Sequence, residues 1–202
     1  MKIQKFNSED EWLEGRSGRI TGTRAKDLVV KRGTGYKKGF WEIVAERVAI
    51  PANGENVMDR GHRLEEDAIH RFEKETGKTI NTELVIWSRS EEESIAISPD
   101  GFVEAPKIEE ACEVKCLNSA SHCEAFITKE IPNEYQPQKI QYFVVNDDLK
   151  ILYWIFYDPR MPKDFFYFII KREDIQKEIN EYLELEKISL VEIERCEKLL
   201  TF

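Results

Sequence analysis

Apolar positions along the chain recur mostly at helical spacing. The clearest stripe, between Asp59 and Thr76, consists of Leu64, Ala68, Ile69 and Phe72. Residues three and four apart share one face of a helix, so this stripe predicts a helix over that range. Gly77 follows it as a C-terminal stop. Other helical patterns cover residues 8–13, 21–28, 40–48, 135–145 and 173–200.

Short runs of β-branched and aromatic residues predict strands between these helices. The runs cover residues 79–88, 94–98, 102–103, 110–116, 150–157 and 165–171. Helices that flank a central group of strands indicate an α/β or α+β fold with a mixed sheet. A length of 202 residues, without a linker rich in Pro, Gly and Ser, predicts one domain over residues 1–202. Its core covers about residues 12–171, and the helix over 173–200 closes the chain.

The charge of the chain is unevenly distributed. The net charge is -9, which argues against a general nucleic-acid coat protein. Between Arg16 and Trp41, however, Asp27 is the only acidic residue among many lysines and arginines, and three glycines in residues 31–39 indicate a loop. A basic stretch on an acidic chain suits an enzyme that holds a polyanion locally. A solvated helix surface is the plain alternative.

Nothing in the sequence indicates export. Residues 1–5 contain no apolar core of a signal peptide, and the apolar runs are too short to cross a bilayer. We therefore expect a cytoplasmic protein without a membrane partner. In that compartment cysteines are expected to be reduced, and their spacing here matches no usual zinc or iron–sulfur pattern. The cysteines are Cys112, Cys116, Cys123 and Cys196.

Candidate catalytic residues lie on the predicted strand over residues 110–116. Side chains alternate between the two faces of a strand, so Glu113 and Lys115 point to the same side. Asp100 lies at the turn after the preceding strand, 94–98. If these two strands pair, Asp100 reaches the same side as Glu113. The sequence then predicts two carboxylates beside one ammonium group.

Such a group suits the hydrolysis of phosphodiesters. Carboxylate oxygens are hard ligands for Mg²⁺, which polarises a phosphoryl oxygen and makes a bound water acidic enough to attack. A lysine beside them can orient that water or stabilise the developing negative charge. The plain alternative is a surface ion pair between Glu113 and Lys115. A glycosidase-like carboxylate pair is more remote, because the lysine and the basic stretch fit a polyanionic substrate better.

Two other predicted helices add candidate residues. Glu65 lies at the edge of the apolar stripe, where a carboxylate costs desolvation unless it is paired or bound to metal. Gln138 shares a predicted helix face with Tyr135 and Tyr142, and its amide could hold a water or a phosphate oxygen. The plain alternatives are a rim carboxylate for Glu65 and a surface amide for Gln138.

The basic stretch offers candidate phosphate ligands. Arg16 can grip a phosphate through its planar guanidinium fork. Thr23 lies near a predicted helix start, where free backbone amides and its hydroxyl favour an anion. A nuclease that starts at a DNA end needs such a phosphate pocket, whereas an endonuclease does not.

Pro99-Asp100 followed by Glu113-Val114-Lys115 resembles the signature of the PD-(D/E)XK nuclease superfamily. Further segments occur in the order and approximate spacing of the lambda-exonuclease-type (YqaJ-like viral recombinase) nucleases of phages and prophages. They are the segments around Arg16, Glu65 and Gln138, and Tyr157-Asp158-Pro159-Arg160-Met161. The resemblance runs from about Trp12 to about Met161, and it implies a restriction-endonuclease-like core.

The resemblance also implies an activity. The chain would be an Mg²⁺-dependent 5′-to-3′ exonuclease, with Mn²⁺ as a substitute, that acts on linear double-stranded DNA. It would leave 3′ single-stranded overhangs for phage-type recombination in a bacterial host. The implied partners are DNA ends, further copies of the chain in a homotrimer ring, and a single-strand annealing protein. An endonuclease of the same superfamily, for restriction or repair, and a catalytically silent DNA-binding subunit are the alternatives.

Roles follow from the resemblance residue by residue. The implied metal ligands are Asp100, Glu113 and, directly or through water, Glu65. Lys115 would position or activate the attacking water, and Gln138 would help to shape the site. The implied ligands of the 5′-terminal phosphate are Arg16, Thr23 and Ser98. Thr23 stands where the family has a serine, and the wide spacing of the glutamines leaves open whether Gln141 contributes.

Overall fold

The computed structural model describes Ser8, Glu11, Trp41, Ala45 and then residues 57–201. Glu11 is helical, and its amide donates a hydrogen bond of 3.2 Å to the Ser8 hydroxyl, as expected of a capped helix start. Trp41 and Ala45 are also helical, as predicted. The predictions for residues 21–28 and 31–39 lie outside the described residues.

Residues 57–201 form four helices and six strands. The helices are α1 (Val57–Thr76), α2 (Ser119–Thr128), α3 (Gln136–Val145) and α4 (Gln176–Thr201), with 3₁₀ turns at Asn133–Tyr135 and Arg172–Ile175. The strands are β1 (Trp87–Arg89), β2 (Glu92–Ile97), β3 (Gly101–Phe102), β4 (Glu110–Lys115), β5 (Ile151–Tyr157) and β6 (Phe165–Lys171). Within residues 57–201, no helix is long and apolar enough to cross a membrane.

The larger sheet has the strand order β3-β4-β5-β6, and β1 and β2 form a separate antiparallel pair. Strands β3 and β4 are antiparallel. The carbonyl of Glu109 accepts from the amides of Lys150 and Ile151, so β4 and β5 begin side by side and run parallel. The Arg172 amide donates to the Lys150 carbonyl, so the end of β6 meets the start of β5. The sheet is therefore mixed, as predicted.

The chain divides into two compact units. The first unit contains the described residues Ser8, Glu11, Trp41, Ala45, 57–64, 116–130 and 156–166, and the second contains residues 65–115, 131–155 and 167–201. The apolar cluster of the first unit consists of Trp41, Ala45, Ala120, Cys123 and Met161. The largest buried side chains of the second include Phe72, Tyr142, Phe143, Leu149, Leu152 and Trp154. The assignment of residues 1–202 to one domain stays a prediction.

Helix α2 of the first unit was not predicted, because its buried residues are three small side chains and the polar His122, which make no strong apolar stripe. The Asn118 side chain caps it by accepting from the Ser121 amide at 2.9 Å. The buried Asp158 carboxylate accepts from the Ser119 hydroxyl at 2.6 Å and from the Arg160 guanidinium at 2.8 and 2.9 Å. The segment over residues 157–161 therefore anchors the start of α2.

The strand predicted over residues 79–88 is correct only at its end, where β1 begins at Trp87. In residues 79–88, Asn81 makes only an isolated bridge with Phe102, and Leu84 and Ile86 are exposed. The reason is that β3 is only two residues long and offers little to pair with. The strand predicted over residues 94–98 is confirmed as β2, but its pairing with residues 110–116, the condition set for bringing Asp100 to Glu113, does not occur, because β2 pairs with β1.

Helix α3 of the second unit carries two of the residues singled out above, Gln138 and Tyr142. Its C-terminal end is fixed by Arg172, whose guanidinium donates to carbonyls of α3 and the following turn. Helix α4 packs against α3 and buries Ile179. This support holds the inner face of α3 in place beside β4.

Candidate active site

Asp100 and Glu113 face each other through the pairing of β3 with β4. Gly101 lies opposite Cys112 and Phe102 opposite Ala111, so one step further along this register Asp100 stands opposite Glu113. Gly101 makes the close pairing possible. A Cβ there would lie 2.4 Å from the Ile80 side chain and 2.9 Å from the Cys112 sulfur. The strand that brings Asp100 to Glu113 is thus β3 and not β2.

The Asp100 carboxylate is held in place by the backbone of β4. Its Oδ2 accepts a hydrogen bond of 2.7 Å from the Val114 amide. Burial raises the pKa of Asp100 to about 7, and the nearby Glu65 carboxyl adds to this effect. The Val114 amide and the Lys115 ammonium group act in the opposite direction. A second carboxyl group therefore lies close enough to Asp100 to disfavour the ionised form of the Asp100 carboxyl group.

Glu113 is almost fully buried and receives several hydrogen bonds. Its Oε1 accepts from Lys115 Nζ at 2.5 Å and from Gln138 Nε2 at 2.5 Å, and its Oε2 accepts from the Tyr142 hydroxyl. Burial and the charge of Asp100 raise the pKa of Glu113, while Lys115 and Tyr142 oppose this rise. A buried carboxylate needs such partners, because an unpaired charge in the interior is costly.

Glu65 reaches the site from α1. It follows the buried Leu64 and is half-buried, whereas the next two side chains, Glu66 and Asp67, are exposed. Its carboxyl group lies within hydrogen-bonding distance of Asp100. The position at the edge of the apolar stripe therefore turns one carboxylate of α1 inward, as the sequence pattern predicts.

Three carboxyl groups and one ammonium group thus converge in the second unit. The described residues contain no group of three His, Cys, Asp or Glu side chains set to hold a metal ion by themselves. Mg²⁺ does not need such a cage, since it commonly takes one or two carboxylates and completes its shell with water and phosphate oxygens. Hard oxygen donors whose mutual repulsion raises a carboxyl pKa fit a divalent cation of this kind.

Aromatic side chains complete the surroundings of Lys115. Its ammonium group lies 5.1 Å from the centre of the Tyr135 ring and 5.6 Å from that of Trp154. The side chain is 18% exposed. The helix face shared by Tyr135, Gln138 and Tyr142 could be read from their spacing, but no sequence signal pointed to Trp154, which lies in the middle of a uniformly apolar strand.

The structure does not bring every candidate residue to the carboxylates. The exposed Ser98 hydroxyl donates to the Val85 carbonyl at 2.8 Å. The Gln141 amide contacts the Ala96 carbonyl at 3.4 Å and the Glu186 carboxyl group. Among the residues that the structure describes, no contact gives Gln141 a part in the site. Arg16 and Thr23 lie outside the described residues.

Two solved structures resemble this chain over 95% of its length and over the whole of their own. One is the crystal structure of LHK-Exo in complex with dAMP, with 25% sequence identity and a TM-score of 0.54. The other is an alkaline exonuclease, LHK-Exo, from Laribacter hongkongensis, with 24% identity and a TM-score of 0.53. These likenesses confirm the predicted fold with its restriction-endonuclease-like core. No curated protein matches the chain.

The family assignment rests on a longer sequence match. The YqaJ-like viral recombinase domain matches residues 11–147, which is more than half of the chain and includes all the converging side chains described above except Trp154. The predicted resemblance is thereby confirmed. The chain belongs to the YqaJ-like viral recombinase family and is a lambda-exonuclease-like nuclease.

Proposed function

We propose that this protein is an Mg²⁺-dependent 5′-to-3′ exonuclease that digests one strand of linear duplex DNA and leaves a 3′ overhang. The observation that carries the proposal is the convergence of Glu65, Asp100 and Glu113 with Lys115. Two acidic groups alone would suit many reactions. The lysine beside them favours a substrate whose negative charge grows during the reaction, as a phosphodiester's does.

Each side chain has a distinct part in this proposal. Asp100 would hold the cation together with Glu113 Oε2, which keeps a lone pair beside its bond to Tyr142, and Glu65 would contribute directly or through a bound water. When bound, Mg²⁺ supplies Lewis acidity to the phosphate and lowers the pKa of a water, and Mn²⁺ can replace it. Lys115 orients the attacking water or stabilises the charge on phosphate. Gln138 keeps the Glu113 carboxylate in one orientation.

The proposal of stepwise digestion has a separate support. The relative solved with dAMP holds a deoxynucleoside monophosphate, which is the product expected when an exonuclease releases one nucleotide at a time. For this chain we propose that Arg16, Thr23 and Ser98 bind the 5′-terminal phosphate. DNA ends are then the substrate, a homotrimer ring the working form, and a single-strand annealing protein the partner that takes the overhang in the bacterial cytoplasm.

Digestion of end-labelled duplexes tests this function. Linear DNA with a 5′-phosphate should be degraded from that end in Mg²⁺ and not in chelator, 5′-hydroxyl ends should react more slowly, and closed circles should stay intact. The control is Asp100→Asn, which should bind duplex but not cut it. Cutting of closed circles would instead show an endonuclease, and DNA binding by the parent without cutting would show a silent subunit.

A further inference from the structure

Lys115 is held by one carboxylate and two aromatic faces. Among the described residues, Glu113 is its hydrogen-bond acceptor, at 2.5 Å. The rings of Tyr135 and Trp154 lie within the distance of about 6 Å at which a cation is attracted to the face of an aromatic ring. The two rings also contact each other, with their centres 6.1 Å apart. They form one aromatic corner around the ammonium group.

An aromatic corner differs from a second carboxylate in one useful way. An ammonium group has three N–H donors, and a carboxylate partner occupies at least one of them. A ring face stabilises the positive charge through its quadrupole without accepting a directed hydrogen bond from a lone pair. Lys115 can therefore pair with Glu113 and still keep donors for a water or a phosphate oxygen.

The buried side chain of Trp154 has an energetic cost, which suggests that its aromatic ring has a role. It is fully buried in the middle of β5, and within the described part of the chain its indole N–H has no hydrogen-bond partner. A buried donor without a partner destabilises the folded state, and a phenylalanine or leucine would avoid this. The indole has the strongest cation-binding face of the natural aromatic side chains, and Lys115 lies over it.

We propose that Trp154, with Tyr135 beside it, is a positioning residue that holds the Lys115 ammonium group in place and directs it for phosphodiester cleavage. This inference rests on the proposed function and adds to it a residue that touches neither metal nor DNA. It acts through Lys115 alone. Withdrawing electron density from the face of the indole ring should lower the rate of cleavage and leave the affinity for a DNA end unchanged.

A series of fluorinated tryptophans at position 154 tests this in the full-length protein. Fluorine withdraws charge from the ring face while the shape of the side chain is nearly kept. The rate of the first cleavage in Mg²⁺, at saturating 5′-phosphorylated duplex, should fall stepwise from tryptophan to trifluorotryptophan, by about three- to tenfold in total. The dissociation constant for the duplex in Ca²⁺ should change less than twofold. The matched control is the same series at Trp41, which is also buried and packs with Ala45, Ala120, Cys123 and Met161 in the first unit.

A constant rate across the series at position 154 would overturn the inference, and so would an equal fall at Trp41. A second measurement does not depend on cleavage. Ring currents should displace the NMR signal of the Lys115 methylene beside the ammonium group, and Trp154→Leu should return it toward the ordinary lysine position. If it does not move, the contact is absent and the inference fails. A parent protein that shows this displacement but cuts no DNA would instead refute the proposed function.

Discussion

At the scale of single residues, the site is a balance between buried carboxylates and the groups that neutralise them. Glu113 has its partners in place, and Asp100 has a backbone amide and a neighbouring carboxyl group. Hydrogen-bond donors already surround the Glu113 carboxylate, whereas Asp100 has a second carboxyl group beside it and less to offset its negative charge. We therefore propose that Glu113 orients the site as well as binding the cation, and that Asp100 depends more on the cation to offset its charge.

A variant of Tyr142 tests whether cleavage depends on the orientation of the Glu113 carboxylate. Tyr142→Phe removes the donor to Oε2, so the carboxylate can rotate, and the cleavage rate should fall about tenfold. Loss of one hydrogen bond to a buried charge should also lower the free energy of unfolding by about 1–3 kcal/mol. Single-turnover cleavage and urea unfolding measure the two effects.

A matched control is available on β5. The Tyr153 hydroxyl donates to Glu110 at 2.7 Å in the same unit, away from the converging carboxylates. Tyr153→Phe should therefore lower stability without slowing cleavage. If both variants slow cleavage equally, the effect of Tyr142 is one of general stability and not of orientation.

The raised pKa of Asp100 predicts a pH dependence of stability in metal-free protein. Its pKa is about 7 when folded and near the ordinary 3.8 when unfolded, so the folded state binds the proton more tightly. The stabilising contribution is full below about pH 4 and is lost as the pH rises through 7. In chelator, the free energy of unfolding should fall between pH 5 and pH 8 more for the parent than for Asp100→Asn.

Magnesium should reverse that loss. At pH 8 the cation competes with no proton, so Mg²⁺ should stabilise the parent and leave Asp100→Asn nearly unchanged. Urea unfolding with chelator or with millimolar Mg²⁺ measures this. Equal stabilisation of both proteins would place the cation elsewhere.

At the scale of elements, the sequence predicts what depends on local pattern. The stripe from Leu64 to Phe72 marks α1 to within two residues, and the apolar runs mark β5 and β6. Pairing depends on contacts between distant residues, so the partner of β4 was assigned wrongly. The role proposed for Trp154 also depends on tertiary structure, because it requires β5 to lie beside β4. The local sequence pattern identifies the candidate carboxylates, whereas only the tertiary structure shows which side chains surround them.

The close pairing of β3 with β4 makes Gly101 a sensitive position. Gly101→Ala places a methyl group against Ile80 and Cys112, so the strands must move apart and carry Asp100 away from Glu113. The free energy of unfolding should fall by about 1–3 kcal/mol, and cleavage should fall more than tenfold. Urea unfolding and single-turnover cleavage check the two values.

Gly77 provides the comparison for that variant. It lies at the end of α1 with a positive φ of 71°, and an added Cβ would meet no atom of the described residues within 4 Å. Gly77→Ala should cost about 1 kcal/mol through backbone strain and leave cleavage intact. If Gly101→Ala behaves like Gly77→Ala, the pairing of β3 with β4 is not what sets the distance between the carboxylates.

At the scale of the whole molecule, the negative net charge of the protein makes DNA difficult to hold. A net charge of -9 opposes a tight grip on a polyanion, although the stretch from Arg16 to Trp41 is basic. A closed ring removes this difficulty, because DNA that threads a channel is retained without high local affinity. The homotrimer is therefore proposed as the source of processive digestion by an acidic protein.

The trimer makes a prediction that separates it from a monomer with a tight site. Light scattering at micromolar concentration should give about three times the 23.7 kDa mass of the chain. Once digestion has begun, an excess of unlabelled duplex should leave the rate on labelled DNA unchanged over hundreds of nucleotides, because the threaded strand cannot exchange. Higher salt should slow loading far more than it shortens the tract digested, since only loading depends on counterion release. A monomeric mass combined with processive digestion would mean that local contacts suffice to hold the DNA.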